Sequence, residues 1–148
     1  MSFLLPDTRW LIRAAAGPEY VPADARALIA DPTNALAFSA ASIWEVAIRT
    51  APGRPGFRTD PRRLRSGLLR GGYRELPVTA ERGIAVARLP PVHRDPFDRS
   101  LVAQAGVEGA ILLTADRTVA RCPGPVRLVA AWCRLRPASL TRHAPGFT

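Results

Sequence analysis

A chain of 148 residues, 47% of them hydrophobic, suits a single folded domain with a real core and speaks against intrinsic disorder. No apolar run approaches the roughly 20 residues of a membrane span, and the opening MSFLLPDTRW is too short an apolar run for a secretory signal, so a cytoplasmic protein with no membrane association is expected. The formal charge is +9 and all 21 basic residues are arginine, and the missing lysine excludes both a Walker-type phosphate loop and Schiff-base chemistry. Phe3–Leu5 then reads as a short strand, and TRWLIRAAA at 8–16 as a helix stopped by Gly17-Pro18. A second helical stretch opens at Pro22 and ends at the turn signal Asp31-Pro32. ALAFSA at 35–40 reads as a strand, and ASIWEVAIRT at 41–50 as a helix closed by Pro52-Gly53. Asp60-Pro61 marks another helix start, with Leu64, Leu68 and Leu69 at helical spacing. YRELPVT at 73–79 is a short strand or extended connection, and AERGIAVARL at 80–89 is helical. DPFDRSLVAQAGVEG at 95–109 is a helix with a marked start, and AILLTAD at 110–116 is the clearest strand, its continuous apolar run implying burial on both faces. VRLVAAW at 126–132 is the last strand.

Strands alternating with helices imply crossover connections, hence a parallel sheet of four to five strands with helices on both faces. The expected organisation is one α/β domain over residues 1–132 and a loosely ordered tail over 133–148. Cys122 and Cys133 form no CxxC pair, and with only His93 and His143 as histidines no zinc site of the usual spacing exists. The arginine excess accompanies abundant Ala, Pro and Gly, so it reflects composition as much as partner choice, although it suits a polyanion.

The chemistry is expected in the acids. Ligands of an open parallel sheet bind beyond the carboxyl ends of its strands. Asp7 follows the first strand and Asp116 ends the clearest one. Asp98 lies in the first turn of the helix before that strand, and Glu45 in the helix leaving the second strand. All four are placed to meet above one edge. Carboxylates so close repel and raise one another's pKa, and a hard divalent cation such as Mg²⁺ or Mn²⁺ relieves the conflict.

Each acid also has a plain structural role open to it. Asp7 and Asp116 are placed to cap the helices after them, and Glu45 to pair with Arg49 at i,i+4. Asp95-Pro96-Phe97-Asp98 looks like a cap, a proline at the first helical position and an acid in the first turn, which makes Asp95 the cap and Asp98 the ligand. The arginine-rich stretch from Arg54 is a solvated face or a phosphate-contacting rim. Ser100 and Thr114 have no histidine partner in the sequence that would make a Ser-His-Asp arrangement.

Four segments together, FLLPDTRWLI, SAASIWEVAIR, ELPVTAERGIAVARLPPVHRDPFDRSLVAQA and LLTADRTVAR, resemble the PIN-domain toxins of the VapC type, the nuclease half of bacterial toxin–antitoxin pairs. The resemblance runs from about Phe3 to about Val129. It implies a three-layer α/β/α fold and an acidic tetrad at Asp7, Glu45, Asp98 and Asp116, with Asp95 as a nearby accessory acid and Thr114 beside them. It further implies Mg²⁺ or Mn²⁺, cleavage of RNA, a homodimer, and a small VapB-type antitoxin that neutralises the enzyme. Arg9, Arg54 and Arg58 are the substrate contacts expected around such a site. The chain departs from the family pattern at Pro6 before the first acid, at Arg9 where a histidine or small polar residue is usual, and in its longer tail. Proline at 6 drops one ladder bond at the strand end, and arginine at 9 brings a cation beside the acids.

Overall fold

Residues 2–50, 59–91 and 95–129 are described by a computed structural model of the protein. The expected strands, helices and turns appear in order: β1 (Phe3–Pro6), α1 (Thr8–Ala16), a short 3-10 turn (Pro18–Tyr20), α2 (Ala23–Ala30), β2 (Ala35–Ser39), α3 (Ala40–Arg49), α4 (Pro61–Arg70), β3 (Arg74–Leu76), α5 (Ala80–Val86), α6 (Pro96–Glu108), β4 (Ile111–Thr114), α7 (Arg117–Ala120) and β5 (Val126–Leu128). The sheet has five strands in the order β3-β2-β1-β4-β5, all parallel. The strand expected at 126–132 is registered over Val126–Leu128, and its last three residues, like the tail, His93, Arg54 and Arg58, lie outside the described residues.

Alternation along the strands divides the core into two faces. Leu5, Ala37, Leu76 and Leu112 point to one face, where Leu101, Val102 and Ala105 of α6 cover them. Leu4 and Leu113 point to the other, under Trp10 of α1 and Ala25 of α2, while Phe38 packs there with Leu11, Val46, Leu64 and Leu68. Helices on both sides make three layers, α/β/α. No helix among the described residues is long and apolar enough to cross a membrane.

Polar side chains set the helix starts. Asp7, Ser39, Asp60, Thr79, Asp95 and Asp116 each occupy an N-cap and accept a backbone N–H from the first turn. Gly109 ends α6 in the left-handed conformation at φ 67°, ψ 27°, which turns the chain directly into β4. Pro6 costs the sheet little. The Asp7 N–H restores the ladder on the β4 side by donating to Leu113 O at 2.9 Å, and the pairing with β2 is registered only over Phe3 and Leu4. The missing donor thus falls where β1 and β2 have already parted.

Candidate active site

β1 and β4 are neighbours at the middle of the sheet, so the residues just past their carboxyl ends meet. The Thr114 hydroxyl donates to Asp7 Oδ2 at 2.7 Å and accepts the Asp116 N–H at 3.0 Å. Asp7 Oδ1 accepts the Trp10 N–H at 2.8 Å, so one carboxylate both caps α1 and faces β4. Cap and site, alternatives in the sequence, share one residue. Asp116 does likewise, capping α7 by accepting the Thr118 N–H at 2.8 Å through Oδ1.

Asp7 is only 6% exposed. Burial raises its pKa above the usual carboxylate value, Thr114, the Trp10 N–H and Arg9 pull it back down, and the Asp116 charge raises it further. A carboxyl group held up in this way is one that a nearby cation would ionise.

Glu45 is buried at 5% exposure, on the inner side of α3. Arg49 Nη2 stands 2.6 Å from its Oε1 and 3.9 Å from Asp95 Oδ2, so one guanidinium bridges α3 and the start of α6. Glu45 Oε2 is buried with no hydrogen-bond partner among the described residues. Burial without a donor is costly for a carboxylate oxygen, and a hard cation is a partner that would satisfy it.

Asp95 caps α6, accepting the N–H groups of Phe97 at 2.8 Å and Asp98 at 3.2 Å. This sets Asp98, half-buried, in the first turn. Burial raises the pKa of the Cys122 thiol, Arg99 pulls it down, and the charges of Asp98 and Asp116 raise it further. Thr114 thus links Asp7 to Asp116, Arg49 links Glu45 to Asp95, and Asp98 lies in the first turn of the helix that Asp95 caps. Among the described residues no group of three or more Asp, Glu, His or Cys side chains is gathered as an ion cage. Like charges repel, and Asp7, Asp116 and Glu45 each accept from a donor of their own, Thr114, the Thr118 N–H and Arg49. The donor set is nonetheless one of carboxylate oxygens, and the orphaned Glu45 oxygen and the buried Asp7 suit a hard divalent ion.

Other supports were not foreseen from the sequence. The Thr8 hydroxyl donates to Ser42 Oγ at 2.9 Å, pinning the start of α1 to α3. Arg99 donates to the carbonyls of Pro90 at 2.9 Å and of Val86 and Leu89 at 3.2 Å, which ties α6 to the end of α5. Gln104 Nε2 donates to Pro77 O at 3.1 Å and ties α6 to the end of β3. Only the polarity of Gln104 in an apolar helix hinted at such a role.

The architecture is thus a three-layer α/β/α domain with acids on the carboxyl edge of a parallel sheet. A family model for the PIN domain matches residues 4–125, and the chain belongs to that family. No curated protein matches the chain in sequence. Among solved structures, VapBC2 from Rickettsia felis, bound to a DNA fragment from its promoter, is similar over 86% of this chain and 98% of its own, with a TM-score of 0.60 and 13% identity. A toxin–antitoxin complex from Klebsiella pneumoniae matches over 84% and 95%, with a TM-score of 0.57 and 21% identity. VapBC-5 from Mycobacterium tuberculosis, of the VapBC family of toxin–antitoxin systems, matches over 88% and 100%, with a TM-score of 0.55 and 18% identity.

Proposed function

We propose that this PIN domain is a metal-dependent endoribonuclease, the toxin of a VapC-type toxin–antitoxin pair. The observation that carries the reading is the Thr114 hydroxyl, which joins Asp7 and Asp116 across the two central strands. Asp7, Glu45, Asp98 and Asp116 would hold Mg²⁺ or Mn²⁺, with Asp95 and Thr114 positioning them. When bound, the cation supplies positive charge to the phosphodiester and to the attacking water. The chain's own residues do the rest. Thr114 and the Trp10 N–H fix both oxygens of Asp7. Asp95 anchors the turn that carries Asp98, and Arg49 balances the charge of Glu45. Arg9, with Arg54 and Arg58, contacts substrate phosphates. The cytoplasm is the expected compartment, with RNA as substrate, a VapB-type antitoxin as inhibitor and a homodimer as the working form. The structural neighbours from three bacteria, described as VapBC or toxin–antitoxin complexes, support the assignment.

The test is cleavage of total RNA by protein purified free of its partner, with Mg²⁺ or Mn²⁺ added. Cleavage that survives EDTA, or Asp98→Asn, would sink the mechanism. A second reading is a catalytically impaired module that keeps antitoxin or RNA binding. The Glu45–Arg49 ion pair and the cation at Arg9 beside Asp7 favour it. Calorimetric titration with Mn²⁺ separates the two: binding abolished by Asp7→Asn argues for a live site.

A further inference from the structure

Where α3 meets the start of α6, an aromatic contact accompanies the ion pairs of Arg49 with Glu45 and Asp95. The Trp44 and Phe97 rings stand 6.0 Å apart and almost perpendicular, at 89°. Trp44 directly precedes Glu45 in α3, and Phe97 directly precedes Asp98 in α6, so the aromatic pair flanks two of the candidate acids. Phe97 is half-buried, and its N–H donates to Asp95 Oδ1 at 2.8 Å, so its ring stands on a capped turn. In an edge-to-face contact Phe97 covers at most one face of the indole. The other face is open, and Trp44 is 63% exposed. The inner side of α3 buries Ala41, Ser42, Glu45 and Val46, so the core does not need this tryptophan. The residues exposed on the outer side are Trp44, Ala47 and Ile48, all apolar, where a solvated helix face is ordinarily polar. Trp44 and Ile48 together offer on the order of 200 Å² of apolar surface, a fraction of the roughly 800 Å² that each partner of a stable protein complex buries. One flat ring fits one flat ligand, and the net charge of +9 favours a ligand that belongs to a polyanion. A nucleobase meets both conditions.

We propose that Trp44, propped by Phe97, is a stacking platform for one unpaired nucleobase of the RNA, next to the phosphodiester presented to the acids. In a duplex the faces of a base are covered by its neighbours, so the platform takes bases from loops and single strands. Stacking uses the π-face that every base has, and it therefore positions the strand with little regard to sequence. It makes no phosphate contact, which separates it from the arginines around the site. The platform rests on the nuclease reading above and adds to it a choice of substrate: RNA that is unpaired beside the cut.

The experiment is fluorescence anisotropy of a short labelled oligoadenylate over a range of salt, in EDTA so that no cleavage competes. Trp44→Ala is expected to weaken binding about tenfold and to keep the slope of log affinity against log salt, since no phosphate contact is lost. Trp44→Phe should keep most of the affinity. Trp44→Leu, which has apolar bulk and no π-face, should lose as much as Trp44→Ala. An oligomer of the same length with abasic units throughout should bind the unaltered protein more weakly than oligoadenylate does, and should not distinguish it from Trp44→Ala. That arm reads the unaltered protein and so holds even where a variant fails to fold. Unchanged affinity in folded Trp44→Ala would overturn the platform. So would Trp44→Leu binding like the unaltered protein, or an abasic oligomer bound as tightly as oligoadenylate. Sedimentation of the same proteins reads the competing occupant: self-association lost in Trp44→Ala, with RNA affinity kept, would give the face to a second copy of the chain and overturn the platform. Cleavage of oligoadenylate in Mn²⁺ is scored separately. If binding depends on Trp44 and nothing is cut, the nuclease reading falls and the platform stands. If Trp44→Ala binds and cuts like the unaltered protein, the platform falls and the nuclease reading stands.

Discussion

At Asp7 the competing demands on one side chain can be separated. Its carboxylate is buried, it caps a helix, and it faces a second acid. Because its folded pKa is raised, the native state holds the proton more tightly than the unfolded chain does. The group therefore favours folding at low pH, and this contribution is lost as pH rises from the unfolded carboxylate value through the raised folded one. In metal-free protein, Asp7→Asn is expected to raise the melting temperature at neutral pH and to flatten its fall between acid and neutral pH. An unchanged pH profile would show that burial does not hold the proton there. Thr114 permits a cleaner test. Thr114→Val keeps the shape and removes both hydrogen bonds at a fully buried position, at a cost of about 1–3 kcal/mol for the polar groups left unpaired. RNA cleavage should fall with it, while Thr114→Ser restores the hydroxyl and the activity. Equal cleavage rates for the three proteins would remove Thr114 from the site.

Among the elements, α6 carries the most at its two ends. Asp95→Ala removes the cap of Phe97 and Asp98, and about 1 kcal/mol of stability should go with it. The same change frees the turn bearing Asp98, so cleavage should drop further than the loss of stability explains. A urea melt and a rate on one preparation check both, and a rate that merely tracks the folded fraction would limit Asp95 to capping. Gly109→Ala is the control at the other end. Its added Cβ meets no atom within 4 Å, so the cost is the left-handed backbone alone, about 1–2 kcal/mol, with activity kept in the folded protein. These elements were legible in the sequence because caps, prolines and glycines at their ends act locally. Asp60-Pro61 and Asp95-Pro96 begin helices as read, and Gly109 ends one. The partners across the fold were not legible. The Thr8–Ser42 bond spans 34 residues and the Thr114–Asp7 bond 107, and no local pattern encodes which distant hydroxyl meets which carboxylate. The i,i+4 pairing of Glu45 with Arg49 was readable, but the further reach of Arg49 to Asp95 depends on how α3 packs against α6.

Across the whole molecule the acids come from four separate segments: the end of β1, α3, the start of α6 and the end of β4. The parallel order β3-β2-β1-β4-β5 puts two of these segments side by side at the centre, while α3 and α6, which carry the others, pack on opposite faces of the sheet. A ligand held by residues so far apart in sequence binds the folded chain and has little affinity for the unfolded one. It therefore stabilises by mass action, about 2.7 kcal/mol at one hundred times its dissociation constant. For a chain of this length that corresponds to a rise of about 5–10 °C in melting temperature. Mn²⁺ should produce such a rise and EDTA should reverse it. Asp98→Asn and Glu45→Gln should each cut it by more than half, since each removes a charged oxygen donor from a different helix. Mg²⁺ should give a smaller rise, since it gives up its water shell reluctantly. If Mn²⁺ at millimolar concentration leaves the melting temperature unmoved, the four segments do not act as one site, and the acids are helix caps and ion-pair partners alone.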